Sequence, residues 1–122
     1  MTDKINVQAK LDSFTEHWVP KVIAELNGQH VKVAKFAGEY VWHAHENEDE
    51  LFYVVQGSMR LLFRDGEVTL NEGDLYVVPR GVEHKPVSDA EVQCLLFEPA
   101  STRNTGDVDH DYTIEPDAIE KI

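Results

Sequence analysis

Cysteine is almost absent. A single one, Cys94, in 122 residues leaves no internal disulfide to form and points to the reduced cytoplasm as compartment. Long apolar runs are missing too, and none approaches the roughly 20 residues of a membrane helix. The N-terminus, MTDKINVQAK, lacks the basic-then-apolar pattern of a secretory leader. Positive charge is scarce: 11 Lys and Arg against 23 Asp and Glu give a formal charge of −12. Such a surface repels phosphates, so neither nucleic acid nor an anionic membrane is expected as partner. What is present is a one-domain length with an ordinary 42% apolar content, enough to bury a core.

Helical periodicity is confined to one place. Val7, Leu11, Phe14 and Trp18 recur at three- and four-residue spacing, with Asn6 as cap and Pro20 as stop. From Lys21 the period becomes two. VIAEL leads to the hairpin dipeptide Asn27-Gly28, and a second strand runs to Phe36, where Gly38 is expected to break it. Further strands are expected over 39–45, 50–56, 58–65, 67–70, 75–78, 83–88 and 91–98, with Pro99 ending the set. Some eight or nine short strands with turn residues between them predict an all-β antiparallel sandwich or barrel. The expected layout is an N-terminal arm over 1–19, a barrel over 20–99 and an acidic tail over 100–122 that lies on the barrel or frays.

The chemistry concentrates in GEYVWHAHENEDELFYVVQG, residues 38–57. Strand side chains alternate, so His43 and His45 share a face, with Tyr40, Trp42 and Ala44 opposite. A polar turn over 46–49 brings the chain back so that Glu50 opens the next strand within reach of the same point. His84 follows a turn-rich stretch, GDLYVVPRGVEH. Three imidazoles and one carboxylate suit Fe, Mn, Ni, Co, Cu or Zn better than Mg or Ca. Such a set leaves coordination positions open, unlike the closed, usually cysteine-rich structural zinc sites.

These residues resemble the two motifs of the cupin superfamily. The first appears as Gly38, His43-Ala44-His45, Glu50 and Gly57, with a spacer after Gly38 one residue shorter than usual. The second appears as Gly73, Pro79-Arg80-Gly81 and His84, with Ser88 where asparagine is usual. The resemblance to small single-domain bacterial cupins, often loosely labelled mannose-6-phosphate isomerase-like, implies a double-stranded β-helix, or jelly-roll barrel. It also implies a divalent metal held by His43, His45, Glu50 and His84, and commonly a homodimer. It implies no particular reaction, because the fold hosts many.

Alternation further predicts a pocket wall of Phe52, Val54, Met59, Leu61 and Phe63, with Arg60 and Arg64 turned to solvent. Trp18, Trp42 and Tyr40 are expected as an outer apolar patch suited to a dimer contact. Glu39 and Glu98, near strand ends, are expected to be solvated, and Cys94 to be packing. His17, His30 and His110 lack ligand spacing. With no second catalytic group in view, the leading expectation is a metal-dependent enzyme acting on a small oxygen-containing molecule. Dioxygenase-like chemistry is ahead of Lewis-acid isomerase or lyase chemistry, which needs a base. A non-catalytic metal or ligand sensor and a barrel with a purely structural metal are the alternatives.

Overall fold

A computed structural model describes residues 3–122. Its elements in chain order are α1 (Val7–Leu11), β1 (Lys21–Leu26), β2 (Gln29–Glu39), β3 (Glu50–Gln56), β4 (Met59–Phe63), β5 (Gly66–Leu70), β6 (Leu75–Val78) and β7 (His84–Pro99), followed by a 3-10 turn at Pro116–Ala118. No helix among the described residues is long and apolar enough to cross a membrane.

Every ladder is antiparallel, in the order β1-β2-β7-β3-β6, with β4 pairing both β5 and β7. The 16-residue β7 organises the roll. β2 flanks both ends of it on one side. On the other side its start pairs β4 and its end pairs β3, so the sheet divides and folds over. Bulges between Phe36 and Gly38 and between Val54 and Gln56 supply the bending. Inside lie Phe36, Phe52, Val54, Met59, Leu61, Val92, Cys94 and Leu96. Cys94 is fully buried with its sulfur 3.5 Å from that of Met59, and burial pushes its thiol far up.

Three strand boundaries differ from expectation. β2 does not stop at Gly38: that glycine takes φ +81° within the bulge and the strand continues to Glu39. The two strands expected over 83–98 are the single β7, because Asp89 and Ala90 stay extended across its bend. The strand expected over 39–45 is instead a loop with one bridge, His43 to His84. Its backbone groups find other partners: Ala44 N–H donates to Asp107 Oδ1 at 3.0 Å, and Asp107 N–H donates to Ala44 O at 3.1 Å.

The arm is a short helix followed by an irregular stretch. Asn6 caps it, its side chain accepting from Ala9 N–H at 2.8 Å. The helix ends at Leu11, and Phe14 and Trp18 are buried beyond it. Leu11 and Phe14 pack on Ile23 and Val33, covering the outer face of β1 and β2. On β3 and β6 the outer face stays bare at Tyr53, Leu75 and Val77.

Candidate metal centre

His43 and His45 lie in the loop between β2 and β3, Glu50 is the first residue of β3 and His84 the first of β7. All four are buried, and one ligand atom from each lies within 4.8 Å of the others. The backbone sets two of the rings. Nδ1–H of His43 donates to Val41 O, and Nδ1–H of His84 donates to Val82 O, each at 2.9 Å. Those bonds fix the tautomer and turn each Nε2 lone pair inward, the orientation a ligating histidine needs.

The inward atoms then face one another poorly without a cation. His84 Nε2 and His45 Nε2 each lie 3.3 Å from Glu50 Oε1. A lone pair opposite a carboxylate oxygen needs a proton or a metal ion between them. Both ring nitrogens of His45 are buried with no hydrogen-bond partner. Burial, with His84 alongside, pushes His43 down to about 4, so it stays neutral and available to coordinate. Burial also disfavours charge on Glu50 and on His45. Their mutual attraction prevails, holding the Glu50 carboxyl well below its usual range and raising the His45 imidazole. This donor set fits a divalent first-row ion.

A small cavity of about 30 Å³ opens beside the cluster. Trp18, Phe36, Tyr40, Phe52 and Leu96 form most of its wall, with His43, Glu50, Glu98 and Asn104 as polar lining. The aromatic part is a stack: Trp18 lies 4.6 Å from Phe36 and 4.7 Å from Tyr40, and Tyr40 lies 5.6 Å from Tyr112. Tyr40 also sets its edge on His43 at 5.4 Å. Trp18 reaches this place through a left-handed backbone, φ +65°, and its indole N–H donates to Ala37 O at 3.0 Å.

Of the five wall residues expected, Phe52 lines this cavity. Val54, Met59 and Leu61 are in the core, and Phe63 packs half-buried against it. Trp18 and Tyr40, expected on the outer surface, line the cavity instead: Tyr40 because the chain leaves the ladder after Glu39, and Trp18 because the arm turns there through a left-handed backbone. Trp42 remains outside with the Arg64 guanidinium 3.9 Å over its ring. Arg60 and Arg64 turn outward, toward Glu67 and Glu83.

Glu98 is the main correction. It is 2% exposed rather than solvated, and its Oε1 accepts from Lys32 Nζ at 2.8 Å within the roll. Burial and the neighbouring Glu50 carboxylate push it up to about 8, against the pull of Lys32. Its Oε2 has no partner. Strand parity carried the signal: Val92, Cys94 and Leu96 all face inward, and Glu98 is the next residue in that series. The tail adds the rim. Asn104 lines the cavity, Tyr112 extends the stack, and Gly106 lies so close that a Cβ there would come within 2.2 Å of Ala44 O.

Residues 29–98 match the family model described as "Cupin domain". The fold is similar to a cupin-2 domain protein from Shewanella frigidimarina, with 45% identity, a TM-score of 0.77, and coverage of 78% of this chain and 93% of that one. It is also similar to a protein from Neisseria meningitidis, with 34% identity, a TM-score of 0.74, and coverage of 80% and 99%. An uncharacterized protein of Bacillus subtilis, YdbB, is 41% identical over 77 residues, 62% of this chain and 68% of its own length. The 3-hydroxyanthranilate 3,4-dioxygenase of Xenopus tropicalis is 32% identical over 106 residues, which are 80% of this chain and 38% of that enzyme.

Proposed function

This chain belongs to the cupin family, and from that premise we propose that it is a metal-dependent enzyme of dioxygenase type acting on a small oxygen-containing organic molecule. One observation carries the reading: His43, His45, Glu50 and His84 converge on one point, and His43 and Glu50 border a cavity whose wall is mainly aromatic and aliphatic. Similarity to a dioxygenase over most of this chain supports it. A divalent first-row ion bound by those four residues would supply Lewis acidity or, if redox-active, electrons for dioxygen.

The chain's own residues prepare the rest. Val41 O and Val82 O hold the His43 and His84 rings in one tautomer. The stack of Trp18, Phe36 and Tyr40 excludes water and offers an apolar surface to a ligand. Glu98, steadied by Lys32 and pushed up to about 8, holds a proton at neutral pH that it can exchange with a ligand hydroxyl. That carboxyl also favours a second reading, isomerase or lyase chemistry, since it supplies the acid–base group such a reaction needs. We place the partner subunit of a homodimer on the bare stripe of Tyr53, Leu75 and Val77.

Oxygen consumption separates the two chemistries. Protein loaded with Fe(II) and given a panel of diols, diketones and phenols should consume dioxygen in step with substrate. Turnover undiminished in an anaerobic chamber would overturn the dioxygenase reading in favour of the isomerase or lyase one.

A further inference from the structure

Two separate hollows reach the metal centre. The aromatic cavity touches it at His43 and Glu50, while a groove of about 170 Å³ between the 45–48 turn and the C-terminal segment touches it at His45. They share no lining residue. Resting on the reading of His43, His45, Glu50 and His84 as ligands, we propose that the divalent cation enters and leaves by the groove, and that His45 is the ligand that swings aside to let it pass. The aromatic cavity is unsuited to that traffic. Its volume, about 30 Å³, has room for roughly two waters. Most of its wall is apolar, so a hydrated ion would have to shed its shell against rings.

The groove has the charge for it. Glu46, Glu48 and Asp107 line it, and the guanidinium of Arg103, which also lines it, is already bonded to Asp109 and Glu115. Carboxylates at the mouth of such a passage raise the local concentration of cations. The His45 ring supplies the independent sign. It is 2% exposed and borders the groove. Its Nε2 faces Glu50 Oε1 at 3.3 Å and is the atom a cation takes. That leaves Nδ1, buried and with no partner among the described residues. Once Nε2 ligates, Nδ1 carries the proton, and its acceptor has to come from what occupies the groove. The same atom makes His45 the movable ligand. Nδ1–H of His43 and of His84 is tied to Val41 O and Val82 O, each at 2.9 Å, so those rings are fixed. His45 has no such tie, and its ring can turn without breaking a hydrogen bond.

The test uses the full chain, stripped with a chelator and dialysed, with Co(II) as the probe. Association is followed by stopped-flow quenching of tryptophan fluorescence, and release by transfer to EDTA. Glu46→Gln with Glu48→Gln keeps the side-chain oxygen that Ser101 Oγ–H bonds. It should slow association at least about fivefold at low salt, the gap closing at high salt. Asp89→Asn with Glu72→Gln removes the same charge from the hollow at the β7 bend and should stay within about twofold of the parent. Asn47→Phe narrows the groove without changing its charge. It should slow association and release alike and leave the affinity for Co(II) unchanged, and it serves if the first double variant fails to fold. Parental association in the groove charge variant, equal slowing in the β7-bend variant, or parental rates in Asn47→Phe overturns the proposal. A parent chain that takes up no Co(II) at equilibrium overturns the ligand assignment instead, and that is read from metal content before any rate.

Discussion

Replacing Lys32 by methionine removes one charge of a pair that is almost entirely out of water. Its side chain is 0% exposed, that of Glu98 is 2% exposed, and the two are 2.8 Å apart. With an effective dielectric of about 20 the attraction is about 6 kcal/mol. Desolvating two ions costs several kcal/mol each, so the pair as a whole is close to neutral for stability. Breaking it is not neutral. Lys32→Met strands Glu98 beside Glu50, and Glu98→Leu strands an ammonium. Each should cost about 3–5 kcal/mol in a urea melt at pH 9 with chelator present. At pH 6 Lys32→Met should cost less, because Glu98, already pushed up to about 8, escapes by taking a proton. The double variant should return to within about 1 kcal/mol of the parent, a coupling far outside ordinary additivity. Single losses below about 1 kcal/mol, or a double variant no better than the worse single one, would refute the reasoning that each buried charge depends on the other.

Stability against pH follows from the same groups. In chelator-treated protein, the depressed His43, at about 4, and Glu50 contribute stability at neutral pH that is lost on acidification, as the unfolded chain takes up protons first. The raised Glu98 works the other way, contributing below its ordinary value near 4.5 and losing that contribution as pH climbs to about 8. The raised His45 adds to the alkaline loss. Urea midpoints should therefore plateau between pH 4.5 and about 6.5 and fall on both sides; a steady rise to pH 8 would count against a buried Glu98. Gly106→Ala should cost at least about 1–2 kcal/mol for its left-handed backbone, because that residue has φ +57° and faces Ala44 O. It should also speed zinc release to a chelator, since Asp107 and Ala44 hold the loop carrying His43 and His45; an unchanged midpoint and release rate would contradict that role.

The four ligand side chains were legible because their spacing is local: two histidines two apart, a carboxylate after one turn, and a histidine after a proline-glycine turn. The β class was legible from period two and turn residues. The Lys32–Glu98 pair was harder, since it joins residues 66 apart in sequence. Glu98 alone reads as a charge near a strand end and Lys32 as one within a strand, and only the pairing of β2 with β7 brings them together. Trp18 and Tyr40 escaped for a different reason. Trp18 lies beyond the end of the helix whose spacing placed it, on a left-handed backbone, and Tyr40 follows a bulge that ends strand alternation. The tail carries no periodicity, and the close approach of Gly106 to Ala44 is a tertiary fact with no local signature.

The concealed sulfur of Cys94 makes the folded chain blind to maleimides, because reagents need an accessible thiolate. A cysteine introduced at exposed Asp111, next to Tyr112, would then be its sole labelling handle. A spin label there, read against a paramagnetic ion such as Mn(II) held by the histidines, turns the position of the C-terminal segment into a ruler measurement, and shows directly whether that segment shifts when a ligand arrives.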